Sequence, residues 1–468
     1  MSSPESPSGP RRDTGSFRDP SGHVYFDGDR VIRVLDEHGR EAWAALANSS
    51  LFGAFTTDRR LIGTHEIPLD DVGEAGWATA LQHDRIPVIS YPYEWSFRML
   101  KDAALLTLDL LAAALEEDLV LKDATPFNVQ FDGIQPTFID IGSFETLQEG
   151  EAWTGYRQFC RMFLYPLMLR AYKEVSFRPW LRGSLDGIAA ADFRQLLRPR
   201  DLLRKGVLLH VAMQARAERR YQAVSRDVRS EIRQAGFRKE LIQNNVTQLQ
   251  KIVGGLTAPT GGSEWSDYSS QDHVLRQREL KGEFLRRSIA DPSIVWDLGA
   301  NDGYFSRIAA ESGAYVVAAD SDEIVVDRLY QTLTAEGNQR IHPLVVDVAA
   351  PSPSTGWRQR ERTALETRAN PDLVVMYAVL HHIVIGGNVP VREVLEWLAT
   401  LNTRVVIEFV PIGDPMTDLL LANKRESDVH PDYTEEAFRA HLASWFDIED
   451  EEAVTGSTRT LFSLRPLS

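Results

Sequence analysis

The chain has 468 residues, which is too long for one ordinary hydrophobic core and therefore predicts two or three domains. Its 43% hydrophobic and 25% charged content is typical of a soluble globular protein, and its formal net charge of −16 excludes a global basic footprint, so we expect no nucleic-acid partner. We predict no membrane-spanning helix, because there is no run of about 18 apolar residues. Residues 1–20 have the composition of a disordered tail and lack the apolar segment of a secretory signal. This composition favours a cytoplasmic protein.

The first predicted elements are two strands and a long helix. Residues 23–35, HVYFDGDRVIRVL, alternate in polarity around Asp27-Gly28, a dipeptide that favours a β-hairpin turn. Residues 96–119, SFRMLKDAALLTLDLLAAALEEDL, repeat apolar side chains at helical spacing without Gly or Pro, which predicts a buried helix.

The stretch that follows spaces three polar side chains as phosphotransferases space a base and two magnesium ligands. Asp123 and Asn128 lie in LKDATPFN, and Asp140 lies in FIDIGSFE after a short hairpin-like segment. These motifs resemble the catalytic loop and the magnesium-binding motif of aminoglycoside-phosphotransferase and protein-kinase folds. The resemblance implies an α+β kinase-like domain over residues 21–180.

Departures from that pattern leave the role of this domain open. Leu121 replaces the usual histidine, no glycine-rich phosphate loop is evident, and the lysine that would hold the phosphates is missing, although Arg33 could take its strand position. Three interpretations remain: a degenerate kinase-like domain that supports a neighbouring enzyme or binds its substrate, a nucleotide-binding domain or active phosphotransferase, and a coincidental match in an unrelated helical domain.

The next region is predicted to be helical. Helical patterning runs from residue 151 to about residue 250, and we assign residues 181–256 to a helical extension. Residues 257–270, TAPTGGSEWSDYSS, combine Pro, Gly and Ser, a composition typical of linkers. We interpret them as a linker and lid that precedes a C-terminal domain over residues 271–468.

Short apolar runs dominate the chain after residue 293. Runs at 293–300, 314–321, 342–349, 371–379 and 403–410 are separated by helical segments or loops, and residues 446–454 and 459–466 add two more strand candidates. This order predicts an α/β fold with a doubly wound, Rossmann-like parallel sheet whose strands are buried.

A glycine-bearing turn follows the first of these strands, in IVWDLGANDGYFS. The pattern Asp-x-Gly-x-x-x-Gly, from Asp297 to Gly303, differs from the Gly-x-Gly-x-x-Gly that a dinucleotide-binding domain uses to hold a pyrophosphate. Asp320 ends the next strand, at about the spacing where an acidic residue reaches ribose hydroxyls. The motif therefore favours a nucleoside ligand that has an amino group and lacks phosphates.

These motifs resemble class I S-adenosylmethionine (SAM)-dependent methyltransferases over residues 264–468. The resemblance implies SAM as the cofactor, Asp320 as the acid that binds its ribose, Asp347 in VVDVA as the contact to its adenine amino group, and LVVMYAVLHHI as a segment that faces the sulfonium and the substrate. It assigns the following residues to cofactor binding, the last two of them on the covering segment and first helix: Asp297, Gly299, Ala300, Asn301, Gly303, Asp320, Asp347, Tyr377, Tyr268 and Lys281.

A narrower resemblance covers most of the chain. Segments such as EWSDYSSQD, LHHIVIGGNVP and HPDYTEEAF resemble a family of long bacterial methyltransferases that includes nodulation-associated NoeA-like proteins. Members of that family carry the same upstream half, so this resemblance bears on architecture more than on substrate. From the methyltransferase motifs we expect methyl transfer to a small-molecule acceptor, with specialised metabolism as one setting. The alternative is a kinase-like phosphotransferase or nucleotide-binding regulator in which the methyltransferase domain is accessory.

Three side chains near the ends of the fourth and fifth strands are candidates for catalysis. His381 or His382 could act as a general base, and the competing interpretation is that one of them packs or caps. Glu408 could orient a substrate hydroxyl or amine, or could be a hydrogen-bonded structural carboxylate. Because YAVLHH lacks the acidic partners of a metal-dependent enzyme, we predict no metal in this domain.

Residues 356–362, GWRQRER, are strongly basic within an acidic chain. A solvated helix is the simplest interpretation. The alternatives are that Arg358, Arg360 and Arg362 receive an anionic substrate group or dock the upstream domain.

Overall fold

The computed structural model describes residues 9–73, 75–216, 218, 238–258, 272–422, 424–425 and 430–467. We refer to the described residues up to 258 as the N-terminal half and to those from 272 onward as the C-terminal half. Among the helices in these ranges, none combines the length and the apolarity that a bilayer-spanning helix needs.

The N-terminal half contains both strands and helices. Its strands are β1 (Arg11–Arg12), β2 (Gly22–Asp27), β3 (Arg30–Leu35), β4 (Thr64–Ile67), β5 (Thr79–His83), β6 (Leu119–Leu121), β7 (Val129–Asp132), β8 (Gln135–Phe138) and β9 (Phe144–Thr146). Its α-helices are α1 (Glu37–Ala47), α2 (Ser50–Thr57), α3 (Phe97–Glu116), α4 (Tyr156–Phe159), α5 (Tyr165–Lys173), α6 (Arg178–Gly183), α7 (Ala190–Leu196) and α8 (Lys239–Gly254). Turns of π-helix span Cys160–Leu164 and Leu208–Met213.

The C-terminal half alternates strands with helices. Its strands are β10 (Ile294–Leu298), β11 (Tyr315–Asp320), β12 (Ile341–Val345), β13 (Leu373–Met376), β14 (Arg404–Phe409), β15 (Phe446–Ala453) and β16 (Thr460–Pro466). Its α-helices are α9 (Asp272–Ser288), α10 (Tyr304–Glu311), α11 (Glu323–Glu336), α12 (Leu365–Arg368), α13 (Val391–Thr400), α14 (Pro415–Leu421) and α15 (Glu435–Trp445).

The predicted hairpin and long helix of the N-terminal half are confirmed. Strands β2 and β3 pair antiparallel around the turn at Gly28, and they lie in an antiparallel sheet of order β1-β2-β3-β5-β4. Ser96 caps α3, whose apolar face is buried as its sequence pattern predicts. The assignment of this half to a kinase-like fold stays a prediction, and the proposed linker and lid falls mostly on residues 259–271, outside the described residues.

The C-terminal half confirms the predicted α/β class and its parallel sheet. The strand order is β12-β11-β10-β13-β14-β16-β15, in which β10 to β14 pair parallel and β16 pairs antiparallel with both of its neighbours. The parallel strands are buried on both faces, which explains their continuous apolar runs. Because the strand order reverses between β10 and β13, a crevice opens at the carboxyl ends of these strands.

The N-terminal half covers the edge of this sheet, where β12 would otherwise expose unpaired backbone groups. The turn between β7 and β8 meets the sheet at Gly133, whose N–H donates to the Tyr315 hydroxyl at 2.7 Å and whose carbonyl accepts from His342 Nδ1 at 3.0 Å. Phe131 packs against Tyr330 of α11. One continuous cluster of buried apolar residues includes side chains from both halves.

A buried ion pair joins the two halves beside this apolar contact. Glu94 and Arg368 form a two-pronged ion pair in which their side chains are 1% and 3% exposed. Arg368 also donates to the Ile89 carbonyl and lies over the Tyr91 ring. Burial of two charges is costly, and this arrangement offsets the cost by giving the guanidinium several partners.

Removal of one partner of this pair should destabilise the fold strongly. Arg368→Met leaves the Glu94 carboxylate buried without its counter-charge, so we expect a loss of about 3–5 kcal/mol in the free energy of unfolding, measured by urea denaturation. Arg392→Met is the matched control, because Arg392 and Glu396 form a pair in which the side chains are 61% and 50% exposed. The control should lose under about 0.5 kcal/mol. Equal losses in the two variants would contradict the structural role of the buried pair.

Candidate functional site

A cavity of about 1000 Å³ opens at the carboxyl ends of the parallel strands. Its walls come from α9, from the loops that follow β10, β11, β12, β13 and β14, and from the turn between β15 and β16. This volume lies at the upper end of the range for small-molecule sites and leaves room for two ligands of moderate size. Parallel strands place the residues after each strand at this edge, which is why positions distant in sequence meet here.

The turn after β10 brings backbone to the cavity wall. Gly299 has a φ of +80°, and a Cβ atom there would lie 2.3 Å from Val379 Cγ2, so a larger residue would disturb the wall. Ala300 and Asn301 also line the cavity, whereas Gly303 lies behind it and begins α10 at a φ of +75°.

Two carboxylates mark one end of the cavity. Asp320 accepts hydrogen bonds from the backbone N–H groups of Asn301, at 3.0 Å, and Asp322, at 2.9 Å, which fix its side chain at the wall. Burial raises the pKa of Asp320, and these two hydrogen bonds oppose the rise. Asp347 accepts from Ala349 N–H at 2.9 Å and also lines the cavity. Each carboxylate keeps oxygen lone pairs that can accept further hydrogen bonds.

Asp297 lies behind the glycine turn rather than on the cavity wall. Its carboxylate accepts a 2.5 Å hydrogen bond from the Ser306 hydroxyl of α10, which braces the turn. Burial raises its pKa, the Ser306 hydrogen bond opposes the rise, and the negative charges of Asp320 and Asp302 add to it, with a net pKa of about 7. This residue therefore positions the turn and does not itself face a ligand in the cavity.

The opposite end of the cavity contains a buried imidazole. His381 is fully buried, lines the cavity, and has no hydrogen-bond partner at either ring nitrogen among the described residues. Burial, with smaller contributions from the neighbouring His382 and Arg459, lowers its pKa to about 3, so the ring is neutral at pH 7. The His382 ring packs beside it with the ring centroids 4.2 Å apart and the ring planes tilted by 40°. A neutral imidazole at a cavity wall can accept one hydrogen bond and donate another.

Glu408 lies at the end of β14 behind the cavity wall. Its carboxylate is fully buried and pairs with Lys281 Nζ at 2.8 Å and with Arg459 Nη1 at 3.5 Å. Arg459 also donates to both carboxylate oxygens of Asp414, at 2.8 and 3.0 Å. Lys281, Asp414 and Arg459 line the cavity, so two positive and two negative charges balance one another at this end.

The sequence did not single out Arg459 or Asp414. Arg459 follows the turn between β15 and β16, where no local sequence pattern marks it. Asp414 caps α14, and the Asp-Pro pair at its start is a local signal for the beginning of a helix. Tyr377 lines the cavity, donates to the Lys281 carbonyl at 3.2 Å and packs against Phe305. Tyr268 lies outside the described residues.

Asp123, Asn128 and Asp140 come together in the N-terminal half, outside the cavity. Asp140 pairs with Arg33 at 2.9 Å and accepts from the Ser143 hydroxyl at 2.6 Å, and Asn128 donates to that hydroxyl at 2.9 Å. Burial, followed by the charge of Asp140, raises the pKa of Asp123. Within the described residues, no group of three His, Cys, Asp or Glu side chains is placed to hold a metal ion. The Arg33 guanidinium thus supplies the counter-charge to Asp140.

The basic segment around residue 360 contacts the N-terminal half. The guanidinium of Arg362 lies 3.7 Å from the centre of the Phe127 ring, and Thr363 N–H donates to the Tyr91 hydroxyl at 3.0 Å. Arg358 and Arg360 are exposed. The predicted solvated helix is only a short 3-10 turn at Trp357–Gln359, and part of the segment docks the upstream half.

The raised pKa of Asp297 predicts a pH-dependent stability. The folded state binds this proton more tightly than the unfolded chain, where the pKa is about 3.8, so stability should fall as the pH rises toward and past 7. Between about pH 5.5 and about pH 7.5, the wild type should lose roughly 2 kcal/mol relative to Asp297→Asn. Urea denaturation of both proteins across this range checks the expectation, and parallel pH profiles would contradict it.

Comparisons with known proteins give one long relative. No family model matches the chain. The nodulation protein NoeA of Rhizobium meliloti (strain 1021) is 34% identical over 461 residues, which cover 97% of this chain and 96% of the relative.

Solved structures give only weak likenesses. Magnesium protoporphyrin IX methyltransferase (ChlM) from Synechocystis PCC 6803 with bound SAM is 18% identical, with 44% of this chain and 86% of that chain covered and a TM-score of 0.30. The N-methyltransferase NodS from Bradyrhizobium japonicum WM9 is 14% identical, with 42% and 99% covered and a TM-score of 0.31. TM-scores this low carry no information on the function of this chain. The relation to NoeA extends over nearly the full length of both sequences, and the chain belongs to the NoeA family.

Proposed function

We propose that this NoeA-family chain is a SAM-dependent methyltransferase that acts on a small-molecule acceptor, with specialised metabolism as a setting. One observation carries the proposal. Among the described residues, a single cavity has the glycine turn and the Asp320 carboxylate at one end, and a fully buried His381 without a hydrogen-bond partner at the other. A site of this kind can bind a nucleoside cofactor and a second ligand together.

The residues at the first end fit the cofactor. Asp320 has free lone pairs for the two ribose hydroxyls, and Asp347 can accept from an adenine amino group. A Cβ atom at Gly299 would overlap Val379, so glycine is needed to keep this turn and its backbone at the cavity wall. When bound, SAM supplies an electrophilic methyl group on a sulfonium. The protein has to orient an acceptor atom toward that methyl group and exclude water.

The residues at the second end fit an acceptor that carries a removable proton. His381 is neutral and can accept that proton when the acceptor contacts its ring, because the negative charge that develops on the acceptor offsets the cost of a buried imidazolium. The pairs between Lys281 and Glu408 and between Arg459 and Asp414 hold this wall rigid. Their charges balance, so the wall does not require an ionised acceptor.

Loss of the ribose contact should weaken cofactor binding. Asp320→Asn keeps the shape of the side chain but replaces one acceptor oxygen by a donor, so it should weaken binding of S-adenosylhomocysteine (SAH) by about 100-fold in calorimetry. Asp447→Asn is the control, since Asp447 is an exposed carboxylate of β15 paired with Arg465. Wild-type protein that fails to bind SAH, or Asp320→Asn that binds it as tightly, would contradict the proposed function.

A second variant should separate chemistry from binding. His381→Gln should bind SAH within about threefold of wild type but should transfer labelled methyl groups at least about 100-fold more slowly. The assay incubates methyl-labelled SAM with a bacterial small-molecule extract and measures transfer into the extract. Transfer by His381→Gln at the wild-type rate would exclude His381 as the base. Absence of transfer by wild type that does bind SAH would exclude acceptors present in that extract.

A further inference from the structure

Two arginines from the N-terminal half reach the loops that form the cofactor end of the cavity. Both belong to one stretch of the chain, in which Arg170 lies on α5 and Arg178 begins α6. Neither side chain lines the cavity. Their partners, however, directly flank the two acidic loops that do.

Arg170 holds the loop after β11. Its Nε donates to Glu323 Oε1 at 3.0 Å, and the two side chains are only 13% and 12% exposed. Glu323 is the first residue of α11 and follows Asp320 by three positions. The ion pair therefore fixes the start of α11 and, through it, the loop that carries Asp320.

Arg178 holds the loop after β12. Its Nε donates to the Tyr93 carbonyl and its Nη2 to the Val345 carbonyl, each at 2.9 Å. The Arg340 carbonyl points toward β11, where Val316 donates to it, and carbonyl directions alternate along a strand. The Val345 carbonyl therefore faces the outer edge of the sheet, where no further strand pairs with it among the described residues. Burial lowers the pKa of Arg178, and the charges of Glu323, Glu94 and Asp347 oppose that change.

The two loops are coupled to each other and to the cavity. Val346 N–H donates to the Asp320 carbonyl at 2.8 Å. Val346, Asp347 and Asp320 all line the cavity. A displacement of Val345 would thus move the backbone of both acidic loops.

We propose that Arg170 and Arg178 are positioning residues for the cofactor, through which the N-terminal half sets the affinity of the cavity for its nucleoside end. This inference rests on the proposed function. It gives the N-terminal half a defined role, which is to hold the adenosine-binding loops in place. Arginine is required at position 178, because one side chain has to donate to the carbonyls of both Tyr93 and Val345, and the guanidinium has two nitrogens that do so.

Calorimetry with SAH tests this role. Arg178→Met preserves the length of the aliphatic stem but removes both donors, and we expect SAH to bind about tenfold more weakly at unchanged stoichiometry. Arg178→Lys, which can reach one carbonyl, should give an intermediate dissociation constant. Arg170→Gln provides an independent variant at the other loop, and it should also weaken binding.

Arg182→Met is the matched control. Arg182 is an exposed arginine of the same helix and donates to the Pro351 carbonyl at 2.9 Å, beyond the residues that line the cavity. It should change the dissociation constant by less than about twofold. If Arg170 and Arg178 only stabilised the fold, their variants would contain a smaller fraction of protein able to bind SAH. The dissociation constant of that fraction would be unchanged. Unchanged affinity for SAH in Arg178→Met and Arg170→Gln, or equal weakening in Arg182→Met, would overturn the inference. Wild-type protein that does not bind SAH would instead contradict the proposed function itself.

Discussion

The outer edge of the parallel sheet is the constraint on which the rest of this structure depends. Strand β12 needs cover for its outer edge and apolar faces, and the N-terminal half supplies this cover together with a partner for the Val345 carbonyl. The Gly133 turn and Arg178 meet the edge through hydrogen bonds. The buried Glu94–Arg368 pair fixes the same contact, since a displaced N-terminal half would leave one charge buried alone. The two halves therefore share one apolar core. Arg170 and Arg178 of the N-terminal half contact the residues that flank the cavity loops of the C-terminal half.

The cavity itself combines fixed charges with one unsatisfied group. Glu408 is buried between Lys281 and Arg459, and Asp414 completes a balanced set of charges. Such a set costs desolvation energy but fixes the wall, because every charged group has a partner. His381 is different, since its ring nitrogens have no hydrogen-bond partner in the described part of the chain. A buried polar group left without a partner is costly, and at a cavity wall an arriving ligand can supply the missing hydrogen bond.

Local sequence patterns predicted the parts of the structure that depend on local physics. The glycine turn could be placed because Gly299 and Gly303 adopt positive φ values that other residues disfavour, and Asp320 because it ends a recognisable strand. The environment of Glu408 could not be predicted, because Lys281 lies 127 residues away and Arg459 lies 51 residues away. The same limit applies to Asp140, whose partner Arg33 comes from another sheet of the N-terminal half. Spacing showed the Asp123, Asn128 and Asp140 set, and the sequence named Arg33 only for the strand position of the missing lysine, not as the partner of Asp140.

The most direct test of the central claim, that the cavity binds the methyl donor, is hydrogen–deuterium exchange of the full chain with SAH and, separately, with Mg·ATP. If the cavity binds the methyl donor, SAH should slow exchange of the backbone amides at residues 299–303, 320–323 and 346–349, which surround the cofactor end of the cavity. Exchange should also slow at residues 170–178, because Arg170 and Arg178 hold two of those loops. No change with SAH, together with protection of residues 121–145 by Mg·ATP, would contradict the account and would place the ligand site in the N-terminal half.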